Sequence, residues 1–284
     1  MSPALRPARP AAGATWSDLV IPGDPAVSAR VFRPGSGHAA PNGFLVWAHG
    51  GSWQYGSVAQ WHDVTARLAV LSGWTVVSVD YRLAPRHRHP APLEDLLTAL
   101  EWTRLRSDAS GSPLAVGGDS SGATLAACAA LAVRDRGGRL DAQVLAYPPL
   151  DPGCRAPSHR RDPRAFPTAA ALRRAWHAHR GTAATALAAD GTVLHSTPFG
   201  AAGHRGLAPA VLAAGDLDPV SGDTLRYARI LRDADVPVHL LHPPGTGHAD
   251  LLRPTGTLLP LLARTLRDLP RELCTPPSER NDVR

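Results

Sequence analysis

The chain has 284 residues, 44% hydrophobic and 19% charged, which suits one globular domain with a modest insert and a full core. Its net charge is +6 and all 30 basic residues are arginine; without lysine, Schiff-base chemistry, a lysine-anchored pyridoxal cofactor and a phosphate-loop lysine are excluded. The arginines are scattered without an aromatic-basic stripe, which argues against a nucleic-acid partner, and Cys128, Cys154 and Cys274 are too few and too far apart for a disulfide framework or metal cluster.

Met1 to Trp16 is rich in Ala, Pro and Arg and lacks the apolar core of a secretory signal. No stretch reaches the ~18 apolar residues of a membrane span, so a soluble cytoplasmic protein is expected. Segments near Asp18–Ile21 and Ser28–Phe32 suit an antiparallel sheet edge within an N-terminal segment, 1–42. Short β-branched runs then alternate with helical patterns, which predicts an α/β fold with a mostly parallel sheet flanked by helices. The strands are Phe44–Ala48, Thr75–Asp80, Leu114–Gly117, Gln143–Tyr147, Ala210–Ala214 and Val238–Leu241. The helices, with apolar residues at three- and four-residue spacing, are Val58–Leu71, Pro92–Arg106, Ser121–Arg136, Asp223–Ala234 and Leu258–Asp268.

One region breaks the alternation. Residues 152–206 exceed an ordinary strand–helix connection and carry one helical pattern, Thr168–Arg180, so a small cap inserted after the sixth strand is expected. The core is then 43–151 with 207–272, and 273–284 is a flexible tail. The cap's arginines (Arg155, Arg160, Arg161, Arg164, Arg173, Arg174, Arg180) read as a solvated face and not as a recruiter of acidic substrates. His87/His89 and His177/His179 resemble metal pairs, but residues two apart on a helix face different ways and no carboxylate or cysteine joins them, so no metal is assigned.

Gly118-Asp119-Ser120-Ser121-Gly122 lies between a strand and a helix. In that setting a G-x-S-x-G sequence is a nucleophile elbow: the turn is too tight for flanking side chains and lifts the Ser120 hydroxyl above the sheet edge. The amide of Ser121, at the helix start, can face a developing oxyanion. His49-Gly50-Gly51-Ser52-Trp53 follows the first core strand, and its glycines leave backbone N–H groups open to a substrate oxygen; His49 itself reads as a loop-shaping residue. An acid and then a histidine should follow at later strand ends. Local chemistry leaves the acid open among Asp216, Asp218 and Asp223, and His248 competes with His239 and His242.

Five blocks in order settle on a family. His49-Gly-Gly-Ser-Trp53 with Gly56-Ser57, Val76-Val-Ser-Val-Asp80-Tyr-Arg-Leu-Ala-Pro85, Gly118-Asp-Ser-Ser-Gly122, Asp218-Pro219 and Gly245-Thr-Gly-His248 resemble the hormone-sensitive-lipase-like carboxylesterases of the α/β-hydrolase fold. The resemblance implies Ser120 as nucleophile, Asp218 as acid and His248 as base, with an oxyanion hole from the amides of Gly51, Ser52 and Ser121. It also shows departures. Ser52 stands where the family has a third glycine, Ser121 where alanine is usual and Ala123 where glycine is usual. The family's His-Gly-Phe is His248-Ala249-Asp250 here, which takes an aromatic away from the base, and Met1–Asn42 offers little pattern for the usual N-terminal cap helices.

The implied activity is hydrolysis of small to medium acyl esters through an acyl-enzyme, with no cofactor. The partner expected is a small-molecule ester or thioester, with neither nucleic acid nor membrane. Acyl transfer, lactone or thioester cleavage and dehydration use the same acyl-enzyme or fold, and a non-catalytic binder would have lost a member of the triad.

Overall fold

The computed structural model describes residues 13–35, 42–162 and 164–274, the side chains of 270–274 excepted. An eight-stranded sheet runs in the order β1-β2-β4-β3-β5-β6-β9-β10. Its strands are β1 (Ala14–Ile21), β2 (Val27–Pro34), β3 (Phe44–Ala48), β4 (Thr75–Val79), β5 (Leu114–Asp119), β6 (Ala142–Ala146), β9 (Ala210–Ala213) and β10 (Val238–Leu241). β2 is antiparallel to both β1 and β4, and every pairing from β4 to β10 is parallel. The antiparallel edge and parallel core follow the sequence pattern. Strands β4, β5, β6 and β9 are buried at every position, because helices cover both faces of a parallel sheet and leave no polar alternation.

Each core strand divides its side chains between two apolar layers. Val46, Val77, Val116 and Leu145 face α2 (Ala91–Ser110) and α3 (Ser121–Asp135) in one layer. Leu45, Trp47, Val76, Ala115 and Val144 face α1 (His62–Ser72) and α6 (Leu258–Cys274) in the other. The remaining core helix, α5 (Ser221–Asp233), packs Tyr227, Ala228 and Leu231 into the first layer.

Three helix ends differ from the pattern. α1 begins at His62, not Val58, because the Val58 amide donates to Asp80 Oδ1 at 3.2 Å and Ser57 Oγ accepts from the Gln60 amide at 3.2 Å, which makes the stretch a turn. α2 runs on to Ser110, where Arg104 pairs with both Glu101 and Asp108 along its surface and Gly111 (φ 65°) closes it. α6 continues through Pro270 to Cys274, past the expected start of the tail; Pro270 removes one amide donor without ending the helix. The rest of that tail and residues 1–12 lie outside the described residues.

Between β6 and β9 the chain forms a 3₁₀ turn (Pro157–Arg160), helix α4 (Ala169–Arg180), a two-stranded hairpin of β7 (Thr185–Leu187) and β8 (Val193–His195), and a second 3₁₀ turn (Pro198–Gly200). The hairpin is absent from the sequence reading, although Asp190-Gly191 marks its turn: Asp190 Oδ1 accepts from the Thr192 amide at 2.9 Å and Gly191 sits at φ 81°. α4 opens on Thr168, whose hydroxyl accepts from the Ala171 amide at 3.2 Å, and buries Leu172, Ala175, Trp176 and His179 along one face.

The strand order places the crevice. From β3 the chain moves to one side to form β4, then crosses back to β5 on the other side and continues outward from there. The ends of β3 and β5 therefore flank the point where the order reverses, which is where open α/β sheets bind ligands.

Candidate active site

Ser120 caps α3 directly after β5 with φ 49° and ψ −121°, a left-handed strain that lifts its hydroxyl off the sheet edge. The elbow tolerates no bulk. A Cβ on Gly118 would meet Ala48 O and one on Gly122 would meet the carbonyls of Ala48 and His49, so the β3 loop rests on the turn.

The Ser120 hydroxyl stands 3.1 Å from His248 Nε2. The opposite ring nitrogen, Nδ1, lies 2.9 and 3.0 Å from the carboxylate oxygens of Asp218. Asp218 is buried, and its Oδ1 also accepts the Val220 amide at 2.9 Å, which fixes the carboxylate. The two loops that carry these residues are tied together. The Leu217 amide donates to Thr246 O at 3.0 Å, and Gly215 has no room for a Cβ against that same carbonyl.

Each competing residue has another partner. Asp216 Oδ1 accepts the Thr246 amide at 3.3 Å, and Asp223 Oδ2 accepts the amides of Leu150 and Asp151 at 2.9 and 3.0 Å. His242 Nδ1 contacts Ala214 O at 2.6 Å, and His239 lies within β10. Asp218 and His248 are thus the pair brought to Ser120.

The residues from which an oxyanion hole is expected are Gly51 (φ 112°), Ser52 (φ 57°) and Ser121, the first residue of α3. None of their amides donates to another described residue. The β3 loop is held by Asp119, whose buried Oδ1 accepts the Gly50 amide at 3.1 Å and Trp61 Nε1–H at 2.8 Å. Burial pushes the Asp119 carboxyl up to about 7, against the lowering effect of these two donors. His49 is buried beneath the loop, stacked on Tyr81 at 4.3 Å, and its Nδ1 contacts Gly50 O at 2.7 Å. That is the loop-shaping place the sequence suggests. The sequence pattern assigns no role to Asp119 or Trp61, because the aspartate and the indole, 58 residues apart, are brought together only by the fold.

The aromatic missing after His248 is replaced from two other elements. Tyr147, after β6, packs its buried ring 4.7 Å from the His248 ring, and Phe166, before α4, lies edge-on at 5.8 Å. α4 is itself fastened beside the β3 loop. Trp53 packs at 4.4 Å against Trp176 and stacks at 4.6 Å on His179, both from α4. His179 faces this cluster while His177 is exposed, so the two diverge as their spacing requires. Of the arginines in residues 152–206, Arg155 pairs with Asp151 and Arg161 donates to Ser221 Oγ at 3.0 Å; both tie the segment to its neighbours. Among the described residues no cluster of His, Cys, Asp or Glu fits a metal, Cys128 and Cys154 are buried and unpaired, and no helix is long and apolar enough to cross a membrane.

Comparison with known proteins places the fold in a family. Residues 45–252 match the family model described as alpha/beta hydrolase fold. The carboxylic ester hydrolase LipN of Mycobacterium tuberculosis is 34% identical over 239 residues, 79% of this chain and 61% of its own length. The ethyl acetate hydrolase of Pseudomonas putida is 32% identical over 230 residues, 79% of this chain and 71% of its own. The chain thus spans under two thirds of the length of the first of these relatives. The solved esterase of Pyrobaculum calidifontis superposes with a TM-score of 0.78 at 30% identity, covering 92% of this chain and 86% of that one. A bacterial heroin esterase does so with a TM-score of 0.80 at 28% identity, covering 93% and 86%. On the family match, these relatives and the shared sheet, the chain belongs to the α/β-hydrolase fold family, in its hormone-sensitive-lipase-like carboxylesterase branch.

Proposed function

We propose that the protein is a serine carboxylester hydrolase of the cytoplasm, acting on small to medium acyl esters through Ser120, His248 and Asp218. The observation that carries this reading is the unbroken contact chain from Ser120 Oγ to His248 Nε2 at 3.1 Å and from His248 Nδ1 to Asp218 at 2.9 Å. His248 Nε2 takes the hydroxyl proton as Ser120 Oγ attacks the acyl carbon, and buried Asp218 holds the ring tautomer and stabilises the imidazolium. The amides of Gly51, Ser52 and Ser121 hold the oxyanion of the tetrahedral intermediate. His248 then returns the proton to the leaving alcohol oxygen, and water repeats the sequence on the acyl-enzyme.

Residues 152–206 serve as the cap over this centre. Support comes from Phe166 against the His248 ring and from α4 anchored on Trp53. The substrate is a small-molecule ester or thioester, with no nucleic-acid or membrane partner and no cofactor. Ser120→Ala should abolish hydrolysis of p-nitrophenyl acetate and labelling by a fluorophosphonate probe. Full turnover by that variant overturns the assignment.

A further inference from the structure

Resting on the ester-hydrolase reading, we propose that Phe166 determines specificity for the alcohol side of the ester, forming with His248 a subsite for an aromatic leaving group. The reaction itself orients the substrate. His248 Nε2 must give its proton to the leaving oxygen, so that oxygen sits within hydrogen-bond reach of the imidazole and the alcohol's first carbons lie over the ring's outer side. The acyl carbonyl points the other way, toward the amides of Gly51, Ser52 and Ser121. A group in contact with the His248 ring is therefore nearer the alcohol than the acyl chain.

Two rings pack on His248. Tyr147 is fully buried and supports the imidazole from within the fold. Phe166 approaches edge-on at 5.8 Å and is 70% exposed. Exposed and in contact with the ring of His248, Phe166 offers an aromatic surface to a group bound there. It is also held in place. Pro167 is buried next to it, Thr168 caps α4, and the buried face of α4 is clamped through Trp176 and His179 onto Trp53, one residue beyond the oxyanion rim. Aromatic faces attract each other beyond their area, which selects an aryl or benzyl alcohol over methanol.

Benzyl acetate and methyl phenylacetate test this directly, since the isomers carry the same ring on opposite sides of the ester. Phe166→Ala should lower kcat/KM for benzyl acetate about three- to tenfold while methyl phenylacetate stays within about twofold. Phe166→Leu, which keeps apolar bulk without the ring, should fall between. Equal losses for both isomers, or an unchanged ratio in an active variant, overturns the subsite and leaves the hydrolase reading intact. No turnover of either isomer by the wild-type protein, together with no fluorophosphonate labelling, overturns both readings.

Discussion

Asp216 and Asp218 stand two residues apart with the same side chain, and their surroundings divide their roles. Asp218 is buried, accepts the Val220 amide and faces His248 Nδ1 through both oxygens. Asp216 holds the Thr246 amide at 3.3 Å and so keeps the two loops together. Asp218→Asn should lower kcat for ester hydrolysis by about three to four orders of magnitude, because an amide favours the wrong histidine tautomer. Asp216→Asn keeps an acceptor oxygen for the same amide and should cost less than about tenfold. Steady-state kinetics of both variants, with circular dichroism to show that each folds, separates the two residues. Asp119 belongs to the same scale. It hydrogen-bonds to neither His248 nor the Ser120 hydroxyl, yet by accepting from Gly50 and Trp61 it sets where the glycine loop lies.

At the scale of elements, α4 carries the most consequence. It lies in a segment whose sequence is mostly Arg, Pro, Ala and His, and what fixes it is one stripe: Leu172, Ala175, Trp176 and His179. Trp176 is buried against Trp53, so Trp176→Ala should destabilise the protein by about 3 to 5 kcal/mol, measured by urea unfolding. The same variant loosens the support of Phe166 and should raise KM for benzyl esters. A mutation on the exposed face, such as Arg174→Ala, should change neither within error. The helix pattern of 168–180 was legible because it repeats every three to four residues. The β7–β8 hairpin was not, since three-residue strands give too short an alternation to read, and only Asp190-Gly191 signals it.

The whole molecule carries several histidines that burial keeps neutral. His49, His89 and His179 are all shifted down by desolvation, His179 to about 3. In the unfolded chain each titrates near its ordinary value of about 6.5. Between those values the unfolded state binds protons that the native state refuses, so stability is full above pH 6.5 and falls as the pH drops toward 3. Asp119 acts in the opposite direction, because its raised value of about 7 makes the native state the better proton acceptor down to the ordinary carboxylate range. Paired carboxylates such as Asp18 and Glu101, shifted down by Arg30 and Arg104, add to the acid loss. The net expectation is a melting temperature that falls between pH 7 and pH 4. His179→Leu should flatten that fall, and differential scanning calorimetry across the range checks both.

By itself the sequence determined the alternation of strands and helices, the elbow at Ser120 and the glycine loop after β3. These are local: strand period, tight-turn glycines and strand-to-helix junctions are written in neighbouring residues. The strand end before it brought His248 forward together with His239 and His242, and resemblance named it among them. Tertiary structure decided what depends on residues far apart in the chain. The choice of Asp218 among three aspartates required the loops after β9 and β10 to meet, and resemblance alone had named it beforehand. The clamp of Asp119 and Trp61 on Gly50 joins the end of β5 to both ends of the connection between β3 and α1. The aromatic shell of His248 draws on three separate loops. Asp250 stands where the family has an aromatic, but Tyr147 and Phe166 arrive from two other elements, because ring contacts depend on position in space and not on order in the chain.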